Sequence, residues 1–426
     1  MPSLCVGSAA CPRKAALFSS PIEAMFAIPK TMRAVVYRGV NDLRVETVPV
    51  PSIGRGELLV RVAACGVCPT DIKKIQYGTL PPPRIFGHET AGTIVRVGAG
   101  VRQFKVGERV ALHHHVPCRR CHACRHHAFA QCAEYKRTGI TAGFEPAGGG
   151  YAEYVRVLPF VLEGVVKIPA RNSFLEGAML EPVNTVLKGV KRLALMRGDH
   201  VLVAGQGPIG LMFTRLLALE GMHVIATDLI PQRLALAREF GAKQAVEIRS
   251  PKAEGRKKAE TRNPKVAERI QPPTLPSHSA HHGVRTTDSG PQAVNPQLAA
   301  LIARLTQGRG LDAAVIAVPS DAVVREAQAL VRGGCQVLLF SHTRRGGQAE
   351  LDLATVCMDE KDLIGSYSAD FLLQDEAARL VFSRKLDVSK LITHRFPLEQ
   401  TAAAVELASH PTAESLKVVV VQQYDV

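Results

Sequence analysis

Between Met32 and about Val157, apolar and polar residues alternate in short runs such as Arg33–Tyr37, Leu58–Val62 and Thr93–Val97, with Gly and Pro between them. A period of two puts every second side chain on one face, the pattern of half-buried strands. This stretch predicts a compact β-rich domain. Near residue 182 the pattern changes. His200–Ala204 reads as a buried strand, Gly205–Gly210 as a glycine-rich turn and Leu211–Glu220 as a helix. Strand His223–Thr227, helix Gln232–Phe240 and strand Gln244–Ile248 follow, and after a gap helix Gln297–Thr306, strand Ala313–Val318, helix Ala322–Val331 and strands Gln336–Phe340 and Asp362–Ser366. Strand alternating with helix predicts a parallel sheet with helices on both faces. A tail of helix and strand ends in Lys417–Gln422.

Two stretches stand outside this pattern. Residues 249–296 hold seven Pro, many Ser, Thr and His, and few large apolar residues. Such a segment buries too little surface to offset the entropy of ordering it, so it reads as a disordered insertion. Residues 1–31 are unpatterned and lack the basic end, apolar stretch and cleavage site of a secretory leader, which leaves room for a start at Met32.

Composition narrows the class. A chain of 426 residues that is 46% hydrophobic is globular and long enough for two domains. No run approaches the roughly 18 apolar residues of a membrane span, and ten Cys are too few for a disulfide-stapled scaffold. The net charge is +15. Part of it lies at 248–297, where nine Lys and Arg face four Asp and Glu without interleaved aromatics. Stacking on bases needs aromatics, so this reads as a solvated basic loop, and a nucleic-acid partner is not expected.

Gly205-Gln206-Gly207-Pro208-Ile209-Gly210 has the spacing G-x-G-x-x-G. A glycine turn alone is weak evidence, but this one follows a predicted strand and opens a predicted helix, the context a dinucleotide site requires. The helix start, with Pro208 and Ile209, offers free N–H groups to a pyrophosphate. Asp228 ends the next strand, where its carboxylate can accept the ribose hydroxyls of NAD and would repel the 2′-phosphate of NADP. Arg233 lies near enough to serve the adenosine or a phosphate.

Cys118, Cys121, Cys124 and Cys132 are spaced to close a tetrahedral thiolate shell around zinc. A filled shell leaves no place for substrate, so this metal is expected to be structural. The nearby His113, His114, His115, His122, His126 and His127 read as polar loop residues. A second set is Cys68, His88, Glu89 and, much later, Glu181. One thiolate, one imidazole and one or two carboxylates make an open site at which zinc could lower the pKa of an alcohol and polarise a carbonyl. A buried Cys68 and a satisfied His88 are the plainer reading of those residues by themselves.

Taken in order, Cys68–Asp71, Gly87–Glu89, Gly107–Val110, the four-Cys lobe, Gly177–Leu187, Gly205–Gly210, Thr227–Arg233 and Thr393–Leu398 resemble the zinc-dependent medium-chain dehydrogenase/reductase (alcohol dehydrogenase) family, nearest its sorbitol and threonine dehydrogenase branch. The resemblance implies an α/β fold, with a GroES-like β-rich catalytic domain (32–182) and a Rossmann doubly wound parallel sheet (183–366). A C-terminal segment (367–426) would return to the catalytic domain. It implies a catalytic zinc held by Cys68 and His88, with Glu89 as ligand or close partner and Glu181 at or near the metal. Thr70 matches the hydroxyl that begins the proton relay, and Asp71 the acid that supports the site. It further implies NAD as cofactor, a second, structural zinc, a small-molecule alcohol as substrate, a homodimer or homotetramer and a cytoplasmic location. The chain departs from the pattern at Lys73, where His is common, at Pro69, where Gly is usual, and at Val318-Pro319-Ser320. The expected activity is hydride transfer between NAD and a secondary alcohol, polyol or amino alcohol, such as a sorbitol-like polyol or L-threonine. The alternatives are a zinc-dependent aldehyde, ketone or enone reductase, and a non-enzymatic binder using the basic insertion.

Overall fold

The computed structural model describes residues 27–113, 115–137, 139–144, 148–248, 294–341 and 348–422. Two large sheets organise them. The first has eight strands, in the order Ile392–Pro397, Lys417–Val421, Leu58–Gly66, Glu89–Val97, Arg109–Leu112 and Val165–Lys167, with Tyr154–Val157 and Ile140–Thr141 branching from Leu58–Gly66. Its two C-terminal strands close it: Val419–Val421 run antiparallel to Ala64–Gly66. A smaller sheet, Asp42–Pro49, Thr31–Gly39 and Arg84–Ile85, lies beside it.

The second sheet has six strands, all parallel, in the order Gln244–Glu247, His223–Asp228, His200–Ala204, Leu311–Ile316, Val331–Leu339 and Asp362–Gly365. The chain reverses its direction of travel across the sheet between His200–Ala204 and Leu311–Ile316. At that switch point the strand ends leave a crevice. Helices cover both faces, so Val201, Val203, Val224, Ala313 and Val315 are fully buried and the strands read as continuous apolar runs.

Helix Leu180–Lys191 links the two halves. Its apolar face, including Val183, Val186 and Leu187, shares a core with helix Pro208–Leu219 and with Val419 of the first sheet. The two helices approach closely at Gly189, where a Cβ would lie 2.7 Å from the Phe213 ring.

The structure differs from the sequence reading at several edges. The helix after the glycine turn starts at Pro208 rather than Leu211, because Pro at the first helical position is already set to helical φ and needs no N–H partner. The boundary expected at 182/183 falls inside helix Leu180–Lys191, because Pro182 sits in its first turn and does not interrupt it. Helix Leu353–Met358 was not expected from the pattern; none of its residues is buried, so it carries no apolar stripe to read. Most of the expected insertion, 249–293, and of the N-terminal extension, 1–26, lies outside the described residues. At their inner ends, Asn295 caps helix Pro296–Thr306, Val294 and Ile28 pack against cores, and Thr31 begins a strand. No described helix is long and apolar enough to cross a membrane.

Candidate functional site

The four-cysteine lobe is built almost without a core. Short helices His122–Arg125 and Ala133–Lys136 enclose a small cluster of Cys124, Phe129, Ala130, Cys132 and Tyr135, with Cys118, Cys121 and Phe371 packed against it. All four Sγ atoms lie within 4.8 Å of one another, with Cys118 and Cys124 at 3.9 Å and Cys121 and Cys124 at 3.5 Å. A tetrahedron with Zn–S bonds of ~2.3 Å has edges of ~3.8 Å, so the donor set fits zinc. The backbone amide of Cys121 donates to Cys118 Sγ at 3.4 Å, and that of Cys118 to Cys132 Sγ at 3.4 Å. Amides from Arg120 and Cys121 lower the Cys118 thiol, whereas burial and the neighbouring sulfurs push the Cys124 thiol up.

The second set meets in a cavity of about 360 Å³ between the two sheets, lined by Cys68, His88, Glu89 and Glu181 at one end and by Gly207 and Arg233 at the other. Cys68 caps helix Pro69–Tyr77, and its Sγ accepts from the Thr70 amide at 3.5 Å. Pro69 takes the first helical position, which explains why Pro is tolerated there. His88 follows Gly87, whose φ of +94° and close approach to Cys65 and Tyr151 leave no room for a side chain.

His88 Nδ1 lies 3.0 Å from Asp71 Oδ2. This carboxylate fixes the ring, and Nε2 is then the nitrogen that could meet a metal. Burial alone would lower the His88 pKa, but Asp71 and Cys68 beside it push it well above the ordinary value. Cys68, His88 and Glu89 place their ligand atoms within 4.8 Å of one another. A thiolate, an oriented imidazole and a carboxylate fit an open zinc site.

The two glutamates are each engaged by a further residue. Glu89 Oε1 accepts from Lys417 Nζ at 2.6 Å, and Lys417 also donates to Val67 O at 3.0 Å. Burial raises the Glu89 pKa despite that lysine. Glu181 lines the cavity but stands outside the 4.8 Å trio; its Oε1 lies 3.5 Å from His115 Nδ1 and 3.3 Å from Thr185 Oγ1. Burial would raise Glu181, yet His115 and His88 hold it at about 2. Thr70 and Lys73 line the same cavity.

At the far end the glycine turn has the shape a dinucleotide requires. Gly205 has φ +90°, and a Cβ on Gly210 would lie 1.7 Å from Gly205 O, so helix and strand can approach only without side chains there. A Cβ on Gly207 would meet nothing within 4 Å: this position opens onto the cavity. Ile209 lines it as well, and Pro208 opens the helix. Asp228 is already in use by the backbone, accepting the Gln206 amide at 2.5 Å and the Ile230 amide at 2.9 Å. Each carboxylate oxygen keeps a second lone pair for a ribose hydroxyl. Arg233 Nη2 donates to Thr412 O and Ser415 O, both at 3.1 Å, and so ties helix Pro231–Glu239 to the C-terminal segment.

Two residues of the site escaped the sequence reading. His115 was expected to be a loop residue facing solvent; instead it lines the cavity between Glu181 and Tyr135, with 17% of its side chain exposed. His113 is also buried, at 1%, whereas His122, His126 and His127 are exposed as expected, and His114 lies outside the described residues. The available signal for His115 was its place three residues before Cys118, in the segment leading from strand Arg109–Leu112 into the lobe. Lys417 gave no signal, because its partner Glu89 is 328 residues away.

Comparison with known proteins agrees with this geometry. Residues 54–170 match the alcohol dehydrogenase GroES-like domain family. The chain is 28% identical over 401 residues to the sorbitol dehydrogenase of Bacillus subtilis (strain 168), covering 92% of this chain and 98% of that protein. It is 37% identical over 230 residues to an alcohol dehydrogenase of Rhizobium meliloti (strain 1021), covering 52% and 65% of the two chains. Among solved structures it resembles a proposed zinc-binding dehydrogenase of Sinorhizobium meliloti 1021 bound to NADP, at 26% identity and a TM-score of 0.71, over 92% of this chain and all of that one.

Proposed function

We propose that the chain is a zinc-dependent medium-chain dehydrogenase/reductase that oxidises a secondary alcohol, polyol or amino alcohol with NAD, a reading supported by its match to the alcohol dehydrogenase GroES-like domain and its similarity to sorbitol dehydrogenase. The reaction moves a hydride from the carbinol carbon to the nicotinamide and a proton to solvent. The observation that carries this reading is a cavity whose wall includes Cys68, His88 and Glu89 together with Gly207, Pro208 and Ile209 of the glycine turn.

A zinc ion held by Cys68, His88 and a neighbouring carboxylate would supply Lewis acidity, lowering the pKa of an alcohol and polarising a carbonyl. Asp71 keeps His88 in the tautomer that turns Nε2 to the metal. Glu89 and Glu181 are the two carboxylates available there, Lys417 restraining the first and His115 the second. The Thr70 hydroxyl, two residues after Cys68, accepts the substrate's proton as it passes its own on to solvent, in a cavity that Lys73 also lines. Gly207 and the amides of the helix starting at Pro208 receive the pyrophosphate, and Asp228 receives the adenosine ribose, which favours NAD over NADP. Arg233 closes the adenosine end. Cys118, Cys121, Cys124 and Cys132 hold a structural zinc. The reading includes a cytoplasmic homodimer or homotetramer, as the family resemblance implies.

The test is the initial rate of NADH formation by zinc-loaded protein on polyols, inositols, L-threonine and simple secondary alcohols, each with and without a zinc chelator. A chelator-sensitive rate on one class is expected. Silence on every alcohol and ketone, with zinc and NAD confirmed bound, overturns the reading; turnover only of a conjugated enone with NADPH replaces it by the reductase.

A further inference from the structure

One side chain, Tyr135, touches both the four-cysteine lobe and the two walls of the cavity. We propose that Tyr135 is a positioning residue through which the lobe sets the geometry of the active site. The proposal rests on the dehydrogenase reading above.

Tyr135 comes three residues after Cys132, and its amide hydrogen bonds to the Cys132 sulfur. Its ring is 2% exposed and belongs to the lobe's own small cluster. A lobe with so little core takes its order from its ligands, so closing the thiolate shell is what fixes this ring in space.

From there it acts in two directions. One face of the ring stacks on the His115 imidazole, with centroids 4.8 Å apart and planes 14° from parallel. His115 presents Nδ1 to Glu181 at 3.5 Å, and its ring lies 6.2 Å from that of His88. A stack sets the plane of the imidazole, and the plane decides whether Nδ1 meets the carboxylate. Three contacts therefore lead from a thiolate of the lobe to a carboxylate of the cavity.

The hydroxyl reaches the other wall. It donates to Ala369 O at 2.5 Å and lies 2.9 Å from Ser368 Oγ, and Ser366, Tyr367 and Ser368 line the cavity. A buried phenol hydroxyl needs such partners. The same wall is fastened from behind to the helix that carries Glu181. The Asp370 amide donates to Asn184 Oδ1 at 2.9 Å, and Lys188 Nζ donates to Tyr367 O at 3.1 Å. Glu181, His115 and the 366–369 wall are thus held at fixed separations with Tyr135 between them.

The test uses the full chain with Tyr135→Leu, Tyr135→Phe, His115→Asn and the Leu/Asn double variant. Each is assayed for metal content, for kcat and KM, and for the visible spectrum of cobalt exchanged into the Cys68–His88 site. Tyr135→Leu is expected to keep both metals, to shift the cobalt bands and to lower kcat/KM about tenfold. In the His115→Asn background the same change is expected to leave the cobalt bands in place and to lower kcat/KM only about threefold, the share of the lost hydroxyl, because residues that act through one another are not additive. Tyr135→Phe keeps the stack and loses the hydroxyl; it is expected to leave the cobalt bands and kcat in place and raise KM about threefold. Independent, multiplying losses in the double variant, or cobalt bands that ignore Tyr135→Leu, overturn the proposal. Should Tyr135→Leu fail to fold, an unchanged KM in Tyr135→Phe overturns it instead. A wild type that forms no NADH from any alcohol sinks the functional reading alone, since the cobalt spectrum still reports the coupling.

Discussion

The two thiolate-bearing clusters are assembled in opposite ways. Cys118, Cys121, Cys124 and Cys132 belong to one short lobe and lie within 15 residues of one another. Cys68 comes from a helix start and His88 and Glu89 from the start of a strand 20 residues later, while Glu181 lines the same cavity from a helix of a separate core. The local set is complete: four donors fit one tetrahedron and nothing else enters. The assembled set is deliberately uneven, with one thiolate, one imidazole braced by Asp71 and two carboxylates held by Lys417 and His115. Where metal binding is itself the folding energy, ligands can be local; where the metal must meet a substrate, the ligands are fixed by residues that are not ligands.

If that contrast is right, removing a donor from each cluster has opposite consequences. Cys68→Ser is expected to lower kcat/KM at least ~10³-fold, about 4 kcal/mol of transition-state stabilisation, with a melting temperature within ~2 °C of wild type, since its cavity is already open. Cys124→Ser is expected to release the lobe metal and lower the melting temperature by ~10 °C, with the thermal scan and metal count read together. A Cys68→Ser protein that melts early, or a Cys124→Ser protein that keeps both its metal and its melting point, would erase the distinction.

His113 sharpens the boundary between the two regions. Burial lowers its pKa to about 4, against 6.5 for an ordinary histidine, so it is neutral in the folded protein. Above pH ~6.5 neither state is protonated and nothing is lost. As pH falls from there to about 4 the unfolded chain takes up a proton that the folded chain refuses, and about 3 kcal/mol of stability goes. His113→Leu should remove that part of the acid sensitivity in denaturant titrations run across this range. The smallest expected effect is at the other end of the cavity. Gly207→Ala has room in the free protein, so melting should be unchanged while NAD binding weakens about tenfold, as ligand titration would show; the backbone there must approach the pyrophosphate.

Much of the parallel sheet was legible because its strands are buried on both faces and separated by amphipathic helices; His200–Ala204 and His223–Thr227 read directly. The lobe was legible because its ligands are close in sequence. What could not be read is the set of residues that hold the ligands. Lys417 reaches Glu89 from the last strand, and no local pattern links them. His115 sits in a polar tract whose neighbours on the lobe are exposed, so only the packing of Tyr135 and Glu181 distinguishes it. Asp228 and Arg233 also hold the backbone of the glycine turn and of the C-terminal segment, contacts that no local pattern announces. Local spacing reports what one segment can do by itself, and these contacts belong to the tertiary fold.

The most direct measurement is a stepwise removal of zinc from the wild type by dialysis against a chelator, with bound zinc, NADH-forming rate and melting temperature followed on the same samples. The predicted result is that the first zinc to leave takes the activity with it and leaves the melting temperature nearly unchanged, while loss of the second lowers the melting temperature. Activity that survives loss of the first zinc, or that disappears only when the protein also begins to melt early, would contradict the assignment of chemistry to the open site and stability to the closed one.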